Sequence, residues 1–101
     1  MTSNRMIHSV IFSLKHEKGS AEELRFLEDG RSALSTIEVV QEFKVFKQIS
    51  HKNTYDFGFS MAFDSEADYE AYHVHPQHVA FVEDRWEKEV VQFLEIDYSE
   101  V

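Results

Sequence analysis

The 101-residue sequence contains no cysteine, one proline and three glycines. Without thiols the chain can form no disulfide, offers no thiolate nucleophile and supplies no sulfur ligand to a metal. So little Pro and Gly excludes collagen-like repeats and disfavours long irregular linkers. Positive charge is scarce too: ten Lys and Arg stand against nineteen Asp and Glu, a formal net charge of −9. Such a surface repels phosphate backbones and anionic lipid, so neither a nucleic acid nor a membrane is expected as a partner. No apolar run approaches the roughly 20 residues needed to span a bilayer. Met1 to Arg5 leads straight into a strand-like segment, with no extended apolar region and no small-residue cleavage site. The expected location is the cytoplasm.

What is abundant is apolar and aromatic: hydrophobic residues make up 43% of the chain, with nine Phe, four Tyr and one Trp. That is enough for one core, and residues 1–101 are read as a single domain. From Ile7 to Leu14, Ile7, Ser9, Ile11 and Ser13 alternate with His8, Val10, Phe12 and Leu14, the period-two pattern of a strand. Ser20-Ala21-Glu22-Glu23 has the spacing of a capping box and opens a helix, with Leu24, Leu27 and Leu34 on one side and Ile37 at its margin. Gly30 inside that helix costs about 1 kcal/mol relative to Ala.

A second strand is expected between Val39 and Ile49, with Phe43, Val45, Lys47 and Ile49 opposite Lys44, Phe46 and Gln48. Phe57 to Phe63 is the clearest strand, with four large apolar side chains on one face and Gly58, Ser60 and Ala62 on the other. The small face either leaves room for a ligand or admits a closely packed helix, the reading preferred here. Ser65-Glu66-Ala67-Asp68 caps a second helix that stops before Pro76. Pro76 starts another, in which Val79, Val82 and Trp86 point to the core, and Val90 to Tyr98 forms the last strand.

The order β-α-β-β-α-β is that of an α+β, ferredoxin-like split βαβ fold, whose four-stranded antiparallel sheet carries helices on one face only. Apolar residues on the other face need cover, so two sheets are expected to meet in a homodimer, a dimeric α/β barrel.

Chemistry concentrates between Tyr69 and Phe81, where His73, His75 and His78 fall within six residues of a chain with six histidines. His78 lies about 40° round its helix from Val82, at the edge of a semi-buried stripe. Neutral imidazole there can act as a general base, and the Tyr72 hydroxyl can donate to a developing oxyanion. A structural role competes with this: His75 caps the helix that Pro76 begins, His78 bonds a neighbouring strand and Tyr72 packs. Another rival, a metal site from His73, His75 and His78, lacks a companion carboxylate at a spacing such as His-Glu-x-x-His, and no metal is assigned. His8 shares a strand face with Val10, Phe12 and Leu14 and points inward, as a pocket residue or a satisfied core histidine.

Three segments carry a resemblance: Met6 to Leu14, Tyr55-Asp56-Phe57, and Tyr72-x-x-His75-Pro76-x-His78 followed by Phe81. Together they resemble the stress-responsive dimeric α/β-barrel (Dabb) family over about Met6 to Tyr98. The resemblance implies a ferredoxin-like protomer paired through its sheet. A plant branch of that family, olivetolic acid cyclase, closes a linear polyketide by aldol chemistry. By similarity Tyr72 and His78 match its catalytic pair and His8 a pocket histidine in the first strand, and His75 and Phe81 join His8 as candidate ligand-binding residues. Phe57 stands where that branch has a further pocket histidine, so its substrate is not carried over. Two functions stay open: a stress-responsive dimer that binds a small apolar or phenolic molecule, and a small-molecule enzyme with His78 as base and Tyr72 as donor. Neither calls for a cofactor.

Overall fold

The alternation that begins at Met6 produces the central strand of a four-stranded antiparallel sheet in the order β2-β3-β1-β4. The structure, a computed structural model, describes residues 5–101; the N-terminal residues 1–4 read above lie outside them. In chain order the elements are β1 (Met6–Leu14), α1 (Ala21–Ser35), β2 (Gln41–Lys47), β3 (Phe57–Phe63), α2 (Glu66–His73), α3 (Pro76–Phe81), a π-helical turn (Val82–Trp86), α4 (Glu87–Glu89) and β4 (Val90–Ser99). This is the ferredoxin-like order expected, with the second helical segment broken at Pro76. Among the described residues no helix is long and apolar enough to cross a membrane.

Registers with Val10 opposite Phe59 and Phe12 opposite Phe93 set the large side chains of β1, β3 and β4 on one face. The helices cover that face. Phe12, Phe26, Phe59 and Phe63 are essentially sealed from solvent, and the Phe12 and Phe59 rings meet edge to face at 4.8 Å. Burial of each such ring contributes about 1.5–3 kcal/mol. Gly58, Ser60 and Ala62 therefore point away from the helices, and a Cβ on Gly58 would meet only β1, at Ile11 and the Val10 carbonyl. The small-residue face of β3 does not receive a helix, contrary to the sequence reading, because the large rings of the same strand occupy the helical side.

Helix starts follow local chemistry. The Ser20 hydroxyl accepts from the Glu23 amide at 3.2 Å, and the Glu23 carboxylate accepts in return from the Gly19 amide at 2.9 Å. Ser65 caps α2 through the Asp68 amide at 3.1 Å. The buried stripe of α1 is Phe26, Gly30 and Leu34, while Leu24 is 61% exposed. Residues four apart advance only about 40° round a helix, so these three share a face, whereas Leu24 sits about 160° from Phe26. The expected Leu24 contact is corrected accordingly. Gly30 sits against the Phe59 ring of β3: an added Cβ would lie 2.6 Å from Phe59 Cζ and 3.3 Å from Phe81 Cζ.

In the third helical segment the inward residue is Phe81, and Val79 is exposed. The π turn after Phe81 changes the pitch, so the i, i+3, i+7 stripe through Val79 does not form. β2 is shorter than expected, with its pairing to β3 shifted between Gln41 and Lys44 and Glu42 at a positive φ of 51°. Arg5 pairs with the Glu42 carboxylate at 2.6 Å.

Candidate functional site

Between the sheet and the helices α2 and α3 the packing opens into a cavity of about 490 Å³. Its wall is mostly apolar, with Val10, Phe59, Met61 and Phe93 from the sheet, Leu34 from α1, and Phe81, Val82 and Trp86 from the segment after Pro76. Its polar groups are His8, Tyr69, Tyr72, His73, His78, Glu87 and Glu95. The volume lies in the range usual for small-molecule pockets.

His78 reaches the wall because Pro76 restarts the helix at an angle set by His75, whose Nδ1 accepts the Gln77 amide at 3.1 Å. The His78 Nδ1 stands 2.9 Å from the His73 carbonyl at the end of α2. A carbonyl only accepts, so Nδ1 carries the proton and Nε2 keeps its lone pair. Burial lowers the His78 pKa, helped by the neighbouring His73 and His8, while the carbonyl bond and Glu95 pull the other way. The ring is therefore a neutral base at neutral pH.

Tyr72 packs against His78 with ring centroids 4.4 Å apart. Only 3% of its surface is exposed, yet among the described residues its hydroxyl has no hydrogen-bond partner, and no buried side-chain oxygen or nitrogen is left unsatisfied. The hydroxyl thus opens onto the cavity. Burial, then Tyr69 and Glu95, push its pKa above the usual phenol value, so it stays protonated and can donate.

His8 faces inward, as its strand position implied. Its Nδ1 lies 2.5 Å from Asp97 Oδ1, directly across the β1 and β4 ladder, and its ring packs on Tyr69 at 5.1 Å. An ionised carboxylate only accepts, so Nδ1 of His8 donates to Asp97 and the Nε2 edge of the ring is turned away from that bond. Two imidazoles and the phenols of Tyr69 and Tyr72 share the wall.

The sequence-based site residues therefore divide. His78, Tyr72, His8 and Phe81 come together in the cavity. His75 does not reach it; it caps α3, with Nε2 4.0 Å from Glu38. His78 bonds the end of α2 rather than a strand. Among the described residues no three His, Asp or Glu side chains are placed to hold a metal ion. Sequence reasoning missed Asp97, Glu95 and Tyr69. Glu95 and Asp97 alternate with Phe93 on the inward face of β4, and two carboxylates at inward strand positions were the available signal.

Residues 6–100 match the family model described as the stress responsive A/B barrel domain. A structure from Mesorhizobium loti, described as a Dabb family protein with a ferredoxin-like fold, is 52% identical over 96% of this chain and 97% of its own, with a TM-score of 0.95. A dimeric ferredoxin-like protein of unknown function from Bacteroides fragilis is 21% identical over 99% of this chain and 100% of its own, with a TM-score of 0.75. Hydroxynitrile lyase from Passiflora edulis is 13% identical over 98% and 97%, with a TM-score of 0.83. The last two are likenesses of fold alone. No curated protein matches the chain.

Proposed function

We propose a ligand-binding role for this chain, which belongs to the stress-responsive A/B barrel domain family: the cavity holds a small, mainly apolar or phenolic molecule. The observation that carries this reading is the Tyr72 hydroxyl, which belongs to a buried side chain, has no partner among the described residues and opens onto the same cavity wall as the free Nε2 side of His78. Because the hydroxyl opens onto the cavity, it is free to bond a molecule held there. Trp86 is the chain's one tryptophan and lines the cavity, so its fluorescence reports occupancy directly. Titration with phenols and 1,3-dicarbonyl compounds, paired with melting curves, tests the reading. Saturable quenching with a rise in Tm supports it, and its absence across the series refutes it.

The tautomer of His78 favours a second reading, a proton-transfer enzyme. Nε2 takes a proton from carbon between two carbonyls, and the Tyr72 O–H donates to the enolate oxygen as charge develops there. In an aldol closure the enolate carbon then bonds to a second carbonyl carbon within the substrate, and the proton returns to the new alkoxide. The step is redox-neutral. Deuterium uptake at C2 of a 1,3-diketone, faster with the parent than with His78→Gln, is the expected signature; equal rates exclude it.

The homodimer belongs to the same proposal. Ile11 lies opposite Leu94, Ile7 opposite Tyr98 and Phe46 opposite Gly58 on the sheet face without helices, with Phe46, Leu94 and Tyr98 about half exposed. The related Bacteroides fragilis protein is described as dimeric. Light scattering should give twice the 11.9 kDa chain mass, and Leu94→Glu should give the monomer. A cytoplasmic setting completes the reading.

A further inference from the structure

We infer that the cavity selects uncharged ligands bearing a hydroxyl or carbonyl and rejects carboxylates and phosphates of the same size. The inference rests on the ligand-binding reading and adds a rule of charge to it. Among the described residues the fixed charges on the wall are Glu87 and Glu95, and no Lys or Arg lines it. Asp97 adds a third carboxylate behind His8. Arg85 neighbours Trp86 in sequence, but its guanidinium is spent elsewhere: Nε bonds Glu89 at 2.6 Å and the other end bonds Asp29.

The remaining sources of positive charge are imidazoles. His78 resists protonation because it is half-buried. A proton on His8 would only balance the Asp97 carboxylate already in contact with it. His73 is exposed, with its ring 5.7 Å from that of His78. An anion entering the cavity would lose water without gaining a counter-charge and would meet two carboxylates. A neutral hydroxyl or carbonyl instead finds the Tyr72 phenol as donor and the His78 imidazole as acceptor. The chain's overall charge of −9 opposes approach of an anion from a distance as well.

The test uses two matched probes, 4-propylphenol and 4-propylbenzoate, titrated at pH 8 by Trp86 fluorescence against the parent and Glu87→Gln/Glu95→Gln. Both glutamates are exposed, so the double variant should fold normally. The expected result is that the phenol binds the parent at least about tenfold more tightly. The gap should narrow severalfold in the double variant, and in the parent at 0.5 M salt, where exposed charges are screened. Equal affinity, tighter binding of the benzoate, or a gap unchanged in the variant overturns the charge rule while leaving the pocket intact. If neither probe binds, the ligand-binding reading fails and the charge rule falls with it.

Discussion

Replacing Gly30 by Ala puts the close packing of α1 on Phe59 under direct test. A Cβ at this position would sit 2.6 Å from Phe59 Cζ and 3.0 Å from Cε2, too near for carbon atoms to remain in place. The Phe59 ring cannot simply swing aside, since Phe12 at 4.8 Å, Phe43 at 5.3 Å and Trp86 at 6.3 Å surround it. Overpacking of this kind costs about 1–3 kcal/mol. Alanine returns about 1 kcal/mol through helix propensity. A 2.6 Å approach puts the clash in the upper part of the overpacking range, about 2–3 kcal/mol, so the net expectation is a loss of about 1–2 kcal/mol, or a fall in Tm of about 5–15 °C for a domain of this size. Urea unfolding followed by Trp86 emission measures it, with the midpoint lowered at constant slope. Phe59 and Phe81 also line the cavity, so displaced rings should weaken ligand binding alongside stability. A variant as stable as the parent, or more so, refutes the claim that Gly30 is required by contact rather than tolerated in the helix.

Tyr72→Phe removes a hydroxyl with no protein partner, so stability should change by no more than about 0.5 kcal/mol, while affinity for a phenolic ligand falls; a large drop in Tm would point to a structural bond instead. His75→Ala removes a cap and should cost about 1 kcal/mol with ligand affinity unchanged, as side-by-side melting and Trp86 titration can show. His78 is held below its ordinary pKa in the folded state, so below about pH 6.5 the unfolded chain binds more protons and the folded protein loses stability as pH falls. His78→Gln lacks that loss, and the stability difference between parent and variant should shift in its favour between pH 7.5 and 5.5; a difference independent of pH would count against the buried neutral ring.

Features encoded within a few residues were legible in the sequence. The β1 alternation, the Ser20 and Ser65 caps and the break at Pro76 each depend on neighbours in the chain. Tyr72 and His78 were legible for a related reason: they flank one turn, and the same turn brings their rings together. The His8 and Asp97 pair is 89 positions apart, so no local pattern signals it. α1 was misread because leucines were counted as the core, although a phenylalanine, a glycine and Leu34 at four-residue spacing make the buried face. Gly30 looked like a weakness in a helix until the Phe59 ring was seen beneath it. His75 and His78 have similar chemistry and lie three residues apart, but one nitrogen of His75 is used by the Gln77 amide and its ring is kept from the cavity.

The π turn was the least legible element and has the largest consequence for the site. Phe81 and Trp86 both line the cavity and both pack on Phe26, at 5.4 and 6.1 Å between rings. Five residues of α-helix would set them about 140° apart. A π turn, with its i to i+5 bonding, brings residues five apart onto one face. Its geometry is less favourable than that of an α-helix, so something must hold it. Arg85, within the turn, bonds Glu89 at 2.6 Å and Asp29 of α1, and Glu89 bonds His16 at 2.6 Å. Burial opposes the charge on Glu89, but the Arg85 and His16 bonds hold its carboxyl below the ordinary pKa. Arg85→Met keeps the stem and removes these charge-assisted bonds, which are together worth about 2 kcal/mol for groups only partly buried. The expected result is a matching loss of stability with a red shift of Trp86 emission and weaker ligand binding, as the turn relaxes toward α-helical pitch and carries the indole off the wall. Lost stability with Trp86 emission and ligand affinity unchanged would show that the turn holds its shape without the clamp.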